Sequence, residues 1–335
     1  MNLKKIVKYT FLVCLSSCLL YYTYRDISLH EFLAISREVK LGWIFLAIVA
    51  HLVNHALRAF RWRLFVEVQG YKISYRDIFL SEMSGFCMNL IPPRMGEWVR
   101  CVLLKRLSGV PISKSLAGVV VERFIDIVLL LLLFCATLVI NFFNTSYTLR
   151  RLKEQLNMLS TILPSSSIFY KITLFVVLLL FVIYVLHSLT SAKLWQRIKH
   201  FFKEVLFSIS KIRKSNISLV FGLSFSVLFF HFMVEYISFY AVEEIKISWQ
   251  NVLVIFISMH VGMSAPTPGG IGVYHFVVIT TLETMGVAHN YAVLYATITH
   301  GIQLLNATLV GGICTLIATF IPVKNPLKGS NKSDG

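Results

Sequence analysis

Two stretches carry charge where the neighbouring residues are apolar. "PPRMGEWVR" (92–100) brings Arg94, Glu97 and Arg100, and "VERFID" (121–126) brings Glu122, Arg123 and Asp126. Ionisable side chains inside a membrane are expensive and persist where they bind, relay or pair. The planar fork of arginine matches the oxygens of a phosphate, so Arg94 and Arg123 are the first candidates for holding one. Glu97 and Arg100 stand three residues apart and share a helix face. Glu122, Arg123 and Asp126 fall roughly 10–17 Å along a helix that begins near residue 116. The same six residues also fit a set of internal ion pairs that pins a hairpin to a helix and binds nothing.

A third stretch, "SAPTPGGIGVYHF" (264–276), breaks a helix in the middle of an apolar run. Pro266, Pro268, Gly269, Gly270 and Gly272 remove donors and loosen the backbone. Such irregular backbone is tolerated at membrane depth only where it is buried in protein or lines a wet cavity. A broken helix presents fresh N–H groups at its N-terminus, and these attract anions. Pro92–Gly96 and Pro266–Gly272 would each aim such an end at the membrane centre, with Gly269, Gly270 and Gly272 letting a large headgroup approach. His275 and, on the next long helix, His300 and Gln303 are candidates to face that group, since imidazole titrates near neutral pH. A hydrogen-bonded core role fits them equally. His51, Asn54, His55 and Arg58 share one helix face, as do His231 and Glu235. Packing is the default for both stripes, and a proton path through His231 and Glu235 is the sharper alternative. His51 and His55 lack the glutamate of a metalloprotease motif, and neither metal nor cofactor is expected.

The elements that position these residues follow from composition. Of 335 residues 56% are hydrophobic and 14% charged, against about 25% charged in soluble domains; the mean hydropathy is +0.73. The formal charge of +16 does not point to nucleic acid, because the basic residues sit in short segments beside apolar runs, as lipid-facing anchors do. The six cysteines form no CxxC pair, so no disulfide framework is expected. "LSSC" (15–18) imitates a lipoprotein signal, but the apolar run continues past it and reads as an uncleaved helix.

Runs 6–24, 41–58, 116–142, 169–189, 217–241 and 289–321 approach the roughly 20 residues that spanning needs. Regions 77–107 and 250–285 are cut by Pro and Gly into halves too short to cross. The expectation is an all-α polytopic membrane protein with about six spanning helices and two Pro/Gly-broken re-entrant hairpins. Lys and Arg concentrate in 4–8, 58–76, 100–114, 193–214 and 324–332, which puts both termini in the cytoplasm. Segment 190–215, basic with interleaved aromatics, is expected to lie as an amphipathic helix on the inner leaflet.

The two broken regions read as copies. Lys72-Ile73-Ser74-Tyr75 aligns with Lys246-Ile247-Ser248-Trp249, and Pro92 with Pro266, at an offset of 174; after a slip, Gly109-Val110 matches Gly286-Val287. Three expected crossings lie between them, so the copies are inverted repeats, about 41–142 and 217–321, in one membrane domain over 1–323 with a short cytoplasmic tail at 324–335. Inverted repeats with Gly/Pro-broken half-helices are a transporter signature and place the site near the midplane.

"NLIPPRMGEWVR" (89–100), "VERFID" and "PTPGGIGVYHF" (266–276) together resemble the flippase-like membrane domain of lysylphosphatidylglycerol synthases, over nearly the whole chain. The resemblance implies movement between leaflets of a lipid with a polar, phosphate-bearing headgroup. In that family a Glu ends the C-terminal motif and an Arg sits in the last long helix; here His275 and His300 stand there. A Glu–Arg contact replaced by a His–His one would make this copy more pH-sensitive. The family's synthases add a soluble aminoacyl-transferase domain; only 322–335 follow Ile321, so lysyl transfer is not expected.

The leading reading is translocation of a membrane phospholipid or polyprenyl-phosphate-type lipid across the cytoplasmic membrane, with no catalytic residue, alongside a possible separate lipid-modifying enzyme. The alternatives are a membrane lipid-phosphate phosphatase or transferase, with Ser264 and Thr267 as the nearby hydroxyls, and a secondary transporter of a soluble anion or a non-transporting assembly factor.

Overall fold

In hydrocarbon a chain satisfies its backbone within helices, and the long apolar runs do so here. The structure, a computed structural model, describes residues 3–90, 95–143, 214–265 and 267–322. Among the described residues there are helices and no strands: α1 (Leu3–Tyr24), α2 (Leu29–Ser36), α3 (Leu41–Glu67), α4 (Tyr75–Met88), α5 (Gly96–Ser108), α6 (Ile112–Phe143), α7 (Lys214–Phe239), α8 (Trp249–Ser264), a 3₁₀ turn (Pro268–Gly270), α9 (Val273–Thr284), α10 (His289–Leu305), a π-helical turn (Asn306–Gly311) and α11 (Gly312–Phe320). Leu41–Glu67, Ile112–Ile140, Ile217–Phe239 and the continuous His289–Phe320 are long and apolar enough to cross a membrane. The chain is an all-α, multi-pass membrane protein. The expected span 169–189, residues 190–213 of the amphipathic segment, Pro92, Arg94, Pro266 and the tail 324–335 lie outside the described residues. Residues Met1–Phe134 with Ser208–Gly335 form one compact unit, and Cys135–Phe207 a second, of which only the end of α6 is described.

Within the first unit both Pro/Gly-broken regions are helical hairpins, α4 with α5 and α8 with α9. Their arms run 14, 13, 16 and 12 residues. At about 1.5 Å per residue each falls short of the roughly 30 Å of bilayer hydrocarbon. Ser74 caps α4, its hydroxyl accepting from the Asp77 N–H at 3.2 Å, and Ser248 stands at the same place before α8.

The arms touch through glycine. A Cβ on Gly85 would lie 2.7 Å from the Gly96 carbonyl oxygen, and one on Gly262 would lie 2.9 Å from the Tyr274 Cα. These two glycines are 177 residues apart, as are Gly109 and Gly286, both left-handed (φ 74° and 88°). The same spacing pairs Glu122 with Thr299, Arg123 with His300 and Asp126 with Gln303.

Helices α3 and α7, which precede the two hairpins, run antiparallel. Lys40 N–H donates to the Ala241 carbonyl at 3.0 Å and Trp43 meets Tyr240, while in mid-helix Asn54 Nδ2 donates to the Val227 carbonyl. As residue numbers rise on one helix they fall on the other.

The buried interior follows the hairpins. Trp62, Ile78 and Leu104 pack around α4 and α5; Phe256, Tyr274 and Tyr295 pack around α8 and α9. Phe124, Ile127, Leu131 and Leu132 of α6 are exposed, as an apolar surface facing lipid would be.

Candidate functional site

The tips of the two hairpins meet. The Gly269 N–H, in the 3₁₀ turn, donates to the Asn89 carbonyl oxygen at the end of α4 across 3.3 Å. Asn89 also accepts at Oδ1 from the Gly96 N–H at 2.7 Å, which ties the tip of the first hairpin to the start of its second arm. His300 of α10 donates from Nε2 to the Gly269 carbonyl at 2.9 Å and lies against the ring of Tyr274, centroids 4.9 Å apart. The positive φ of Gly269 and Gly270, 59° and 77°, lets the chain turn there without strain.

A cavity of about 290 Å³ opens beside this junction. His51, Asn54, His55 and Arg58 of α3 line one wall, with Glu82, Glu97 and Arg100 from the first hairpin and Arg123 from α6. Facing them are His231 of α7, His260 of α8, Gln303 of α10, and Thr267, Gly269 and Gly270 of the second tip.

Under the cavity lies a cluster of charge. Arg100 is ion-paired to Glu82 and, at 3.0 Å, to Glu122. Arg58 lies 3.2 Å from Glu82, and Arg61 reaches Glu122 at 3.2 Å and Asp126 at 2.7 Å. Arg123 lies 3.5 Å from Glu122 and 3.8 Å from Asp126. Among the described residues, four guanidinium groups thus share three carboxylates. Arg61 and Glu122 are fully buried, whereas the Arg123 side chain keeps 39% of its exposure.

The network leaves donors over: Nε of each of Arg58, Arg61, Arg100 and Arg123, and Thr267 Oγ1, are buried without a hydrogen-bond partner, as is the acceptor Glu97 Oε2. Buried polar atoms are nearly always bonded, so each of these calls for a partner.

The structure sorts the sequence candidates into three places. Glu97, Arg100, Arg123, Gly269 and Gly270 line the cavity. Glu122 and Asp126 sit behind it as the acids of the cluster. Pro268, Gly272, His275 and His300 do not line it. Gly272 corrects an expectation: a Cβ there would lie 2.5 Å from the Ser16 carbonyl oxygen, so its open side admits α1 and not a headgroup. Of the two helix N-termini expected to face the centre, that of α5 lines the cavity and that of α9 packs on α1. His275 and His300 do meet, ring centroids 4.8 Å apart, one layer behind the wall.

Sequence reasoning missed three members. Glu82, in "FLSEMSGF", was open to the same argument as Glu97, an acid inside an apolar run. Arg61 read as an interfacial anchor, and Arg58 as an anchor that also shared a packing face with His51, Asn54 and His55; Arg61 is instead fully buried, and Arg58 lines the cavity with that face. Arg100, also grouped with the loop charges, is 2% exposed.

The family model for the lysylphosphatidylglycerol synthase TM region matches residues 9–311. The chain belongs to this family. A UPF0104 membrane protein of Methanocaldococcus jannaschii is 28% identical over 142 residues, 42% of this chain and 42% of that protein. The match thus spans less than half the length of that relative. No solved structure matches the chain. For a lysylphosphatidylglycerol synthase TM-region protein the described features fit a membrane, lipid-related role: the broken hairpins, the arginines clustered at the first of them and the exposed apolar flank of α6.

Proposed function

We propose that the chain moves a lipid with an anionic, phosphate-bearing headgroup between the leaflets of the cytoplasmic membrane. The headgroup passes through the cavity where the hairpin tips meet, and the tails stay in the bilayer. One observation carries the reading: Arg58, Arg100 and Arg123, with Thr267 of the second tip, line a cavity closed by two hairpins too short to span. The antiparallel α3 and α7, with caps and glycines recurring at matched positions, support inverted repeats, the arrangement that lets a midplane site open to either side. Arg123 is the phosphate ligand, because it is the most exposed member of the cluster and has two acids to return to when the site empties.

Of the two hydroxyls a phosphatase could use, that of Ser264 donates to the Val261 carbonyl at 2.7 Å, and among the described residues no base is hydrogen-bonded to that of Thr267. Purified protein in phosphatidylcholine vesicles carrying dye-tagged phosphatidylglycerol tests the proposal. Faster leaflet exchange than in protein-free vesicles, lost in Arg123→Ala, is the expected result. Exchange no faster than in protein-free vesicles, with labelled inorganic phosphate taken up instead, contradicts it in favour of a soluble anion.

A further inference from the structure

Of the buried acids among the described residues, one is ion-paired to no arginine. Glu235, in the middle of α7, is fully buried. Its Oε2 accepts from the Tyr295 hydroxyl of α10 at 2.9 Å, and its Oε1 has no hydrogen-bond partner. The same hydroxyl reaches the Glu235 backbone carbonyl at 3.1 Å. No cation among the described residues lies within ion-pair distance, in contrast to Glu82 and Glu122.

The groups facing it are these. From α10 comes Tyr295; from α9 comes Tyr274, whose hydroxyl is bonded to Thr299 at 2.7 Å. On α7 itself His231 stands one turn earlier and lines the cavity together with His51, His55 and Arg58 of α3, its ring 4.9 Å from that of His260 on α8. The α3 face against this part of α7 is apolar, Ala47 and Ala50 packed with Val234.

We propose that Glu235 is a proton-binding site whose loading and unloading drives the movement of the second hairpin; this coupling rests on the translocation reading above. In the loaded state the proton sits on Oε1, the oxygen without a partner, and Tyr295 donates to Oε2. A carboxylate so placed, with one donor and no cation, is costly, so release of the proton to water in the cavity by way of His231, its neighbour at i,i−4, forces a rearrangement. The rearrangement falls on α10. Within six residues that helix carries the donor Tyr295, the anchor Thr299 that holds Tyr274 of α9, and His300, which holds the Gly269 carbonyl at the tip. A shift at Tyr295 is therefore passed to the junction of the hairpins.

Two measurements on the full-length protein decide it. Infrared difference spectra of the purified protein across a pH step should show a carboxylic-acid carbonyl band that moves on ¹³C-glutamate labelling, is absent in Glu235→Gln and is shifted in Tyr295→Phe. Tyr295→Phe keeps the ring stacked on Phe239 and serves if the Glu235 variant does not fold. The same band in Glu235→Gln, or no response of the wild-type band to Tyr295→Phe, overturns the site. In vesicles of phosphatidylcholine with tagged phosphatidylglycerol, one proton per lipid gives about tenfold accumulation in one leaflet per unit of imposed pH difference. That asymmetry should vanish in Glu235→Gln. An even distribution in wild-type vesicles that do exchange lipid overturns the coupling. Vesicles that exchange no lipid overturn the translocation reading and the coupling with it, and the infrared band still decides the proton site.

Discussion

The Gly269 N–H and the Asn89 carbonyl oxygen, 180 residues apart in sequence, are joined by a 3.3 Å hydrogen bond. That bond links two helical hairpins at their tips, and the described arginines that border a cavity lie on the Asn89 side of it. The second side supplies histidine, glutamine, threonine and glycine. Where the first half has Glu122, Arg123 and Asp126, the second has Thr299, His300 and Gln303. One half carries charge to hold a ligand; the other carries a hydrogen-bonded frame that holds the turn.

Arginines of the same cluster should separate by role. Arg61 is fully buried between Glu122 and Asp126, so Arg61→Ala leaves buried carboxylates short of a partner and costs about 3–5 kcal/mol. Arg123 is partly exposed and its two acids keep other arginines, so Arg123→Ala should cost clearly less than Arg61→Ala and still abolish lipid exchange. Thermal unfolding in detergent beside the vesicle assay checks both. Equal destabilisation by the two substitutions would mean that the cluster is purely structural.

Glycine substitutions give a graded series. Gly272→Ala meets the Ser16 carbonyl at 2.5 Å with φ at 86°, and Gly85→Ala meets the Gly96 carbonyl at 2.7 Å. Each should destabilise by about 1–3 kcal/mol as overpacking does. Gly222→Ala in α7 meets nothing within 4 Å and should stabilise by up to about 1 kcal/mol through helix propensity. A melting-temperature series in one detergent reads all three.

His300→Ala removes the donor to the Gly269 carbonyl and leaves that group unbonded, at a cost of about 1–3 kcal/mol. Exchange should fall with the fold retained, because the tip loses its fixed turn. His300→Gln, which restores an N–H donor, should recover part of the activity. Equal exchange in all three proteins would remove His300 from the mechanism.

At the surface, the Lys40 ammonium hydrogen-bonds Glu243 at 2.7 Å and holds its carboxyl below the usual carboxylate range. A carboxyl so depressed contributes stability above its unfolded value, near 4.3, and that contribution disappears as pH falls through its folded value. Glu243→Gln should therefore lower the melting temperature slightly at neutral pH and not at all in strong acid. Unfolding curves at several pH values test the sign.

Much of this was open to reading in the sequence. Spans 41–58, 116–142, 217–241 and 289–321 correspond to helices because an uninterrupted apolar run has one way to satisfy its backbone in hydrocarbon. Ser74 and Ser248, Gly109 and Gly286, matched in the sequence as repeat positions, stand at corresponding helix ends. Arg58 and Arg61 were opaque for a physical reason: an arginine at the end of a span can reach the interface or turn inward. The choice is made by Glu122, 61 residues away from Arg61. Gly272 was opaque for the same reason, since its neighbour Ser16 comes from the first helix.

The most direct test is native mass spectrometry of the protein extracted with its own membrane lipids. The account predicts a retained lipid bearing phosphate, lost in Arg123→Ala and kept in Gly222→Ala. A wild-type protein that folds and retains no such lipid, or an Arg123→Ala protein that retains it unchanged, would contradict the claim that the junction of the hairpins is a headgroup site.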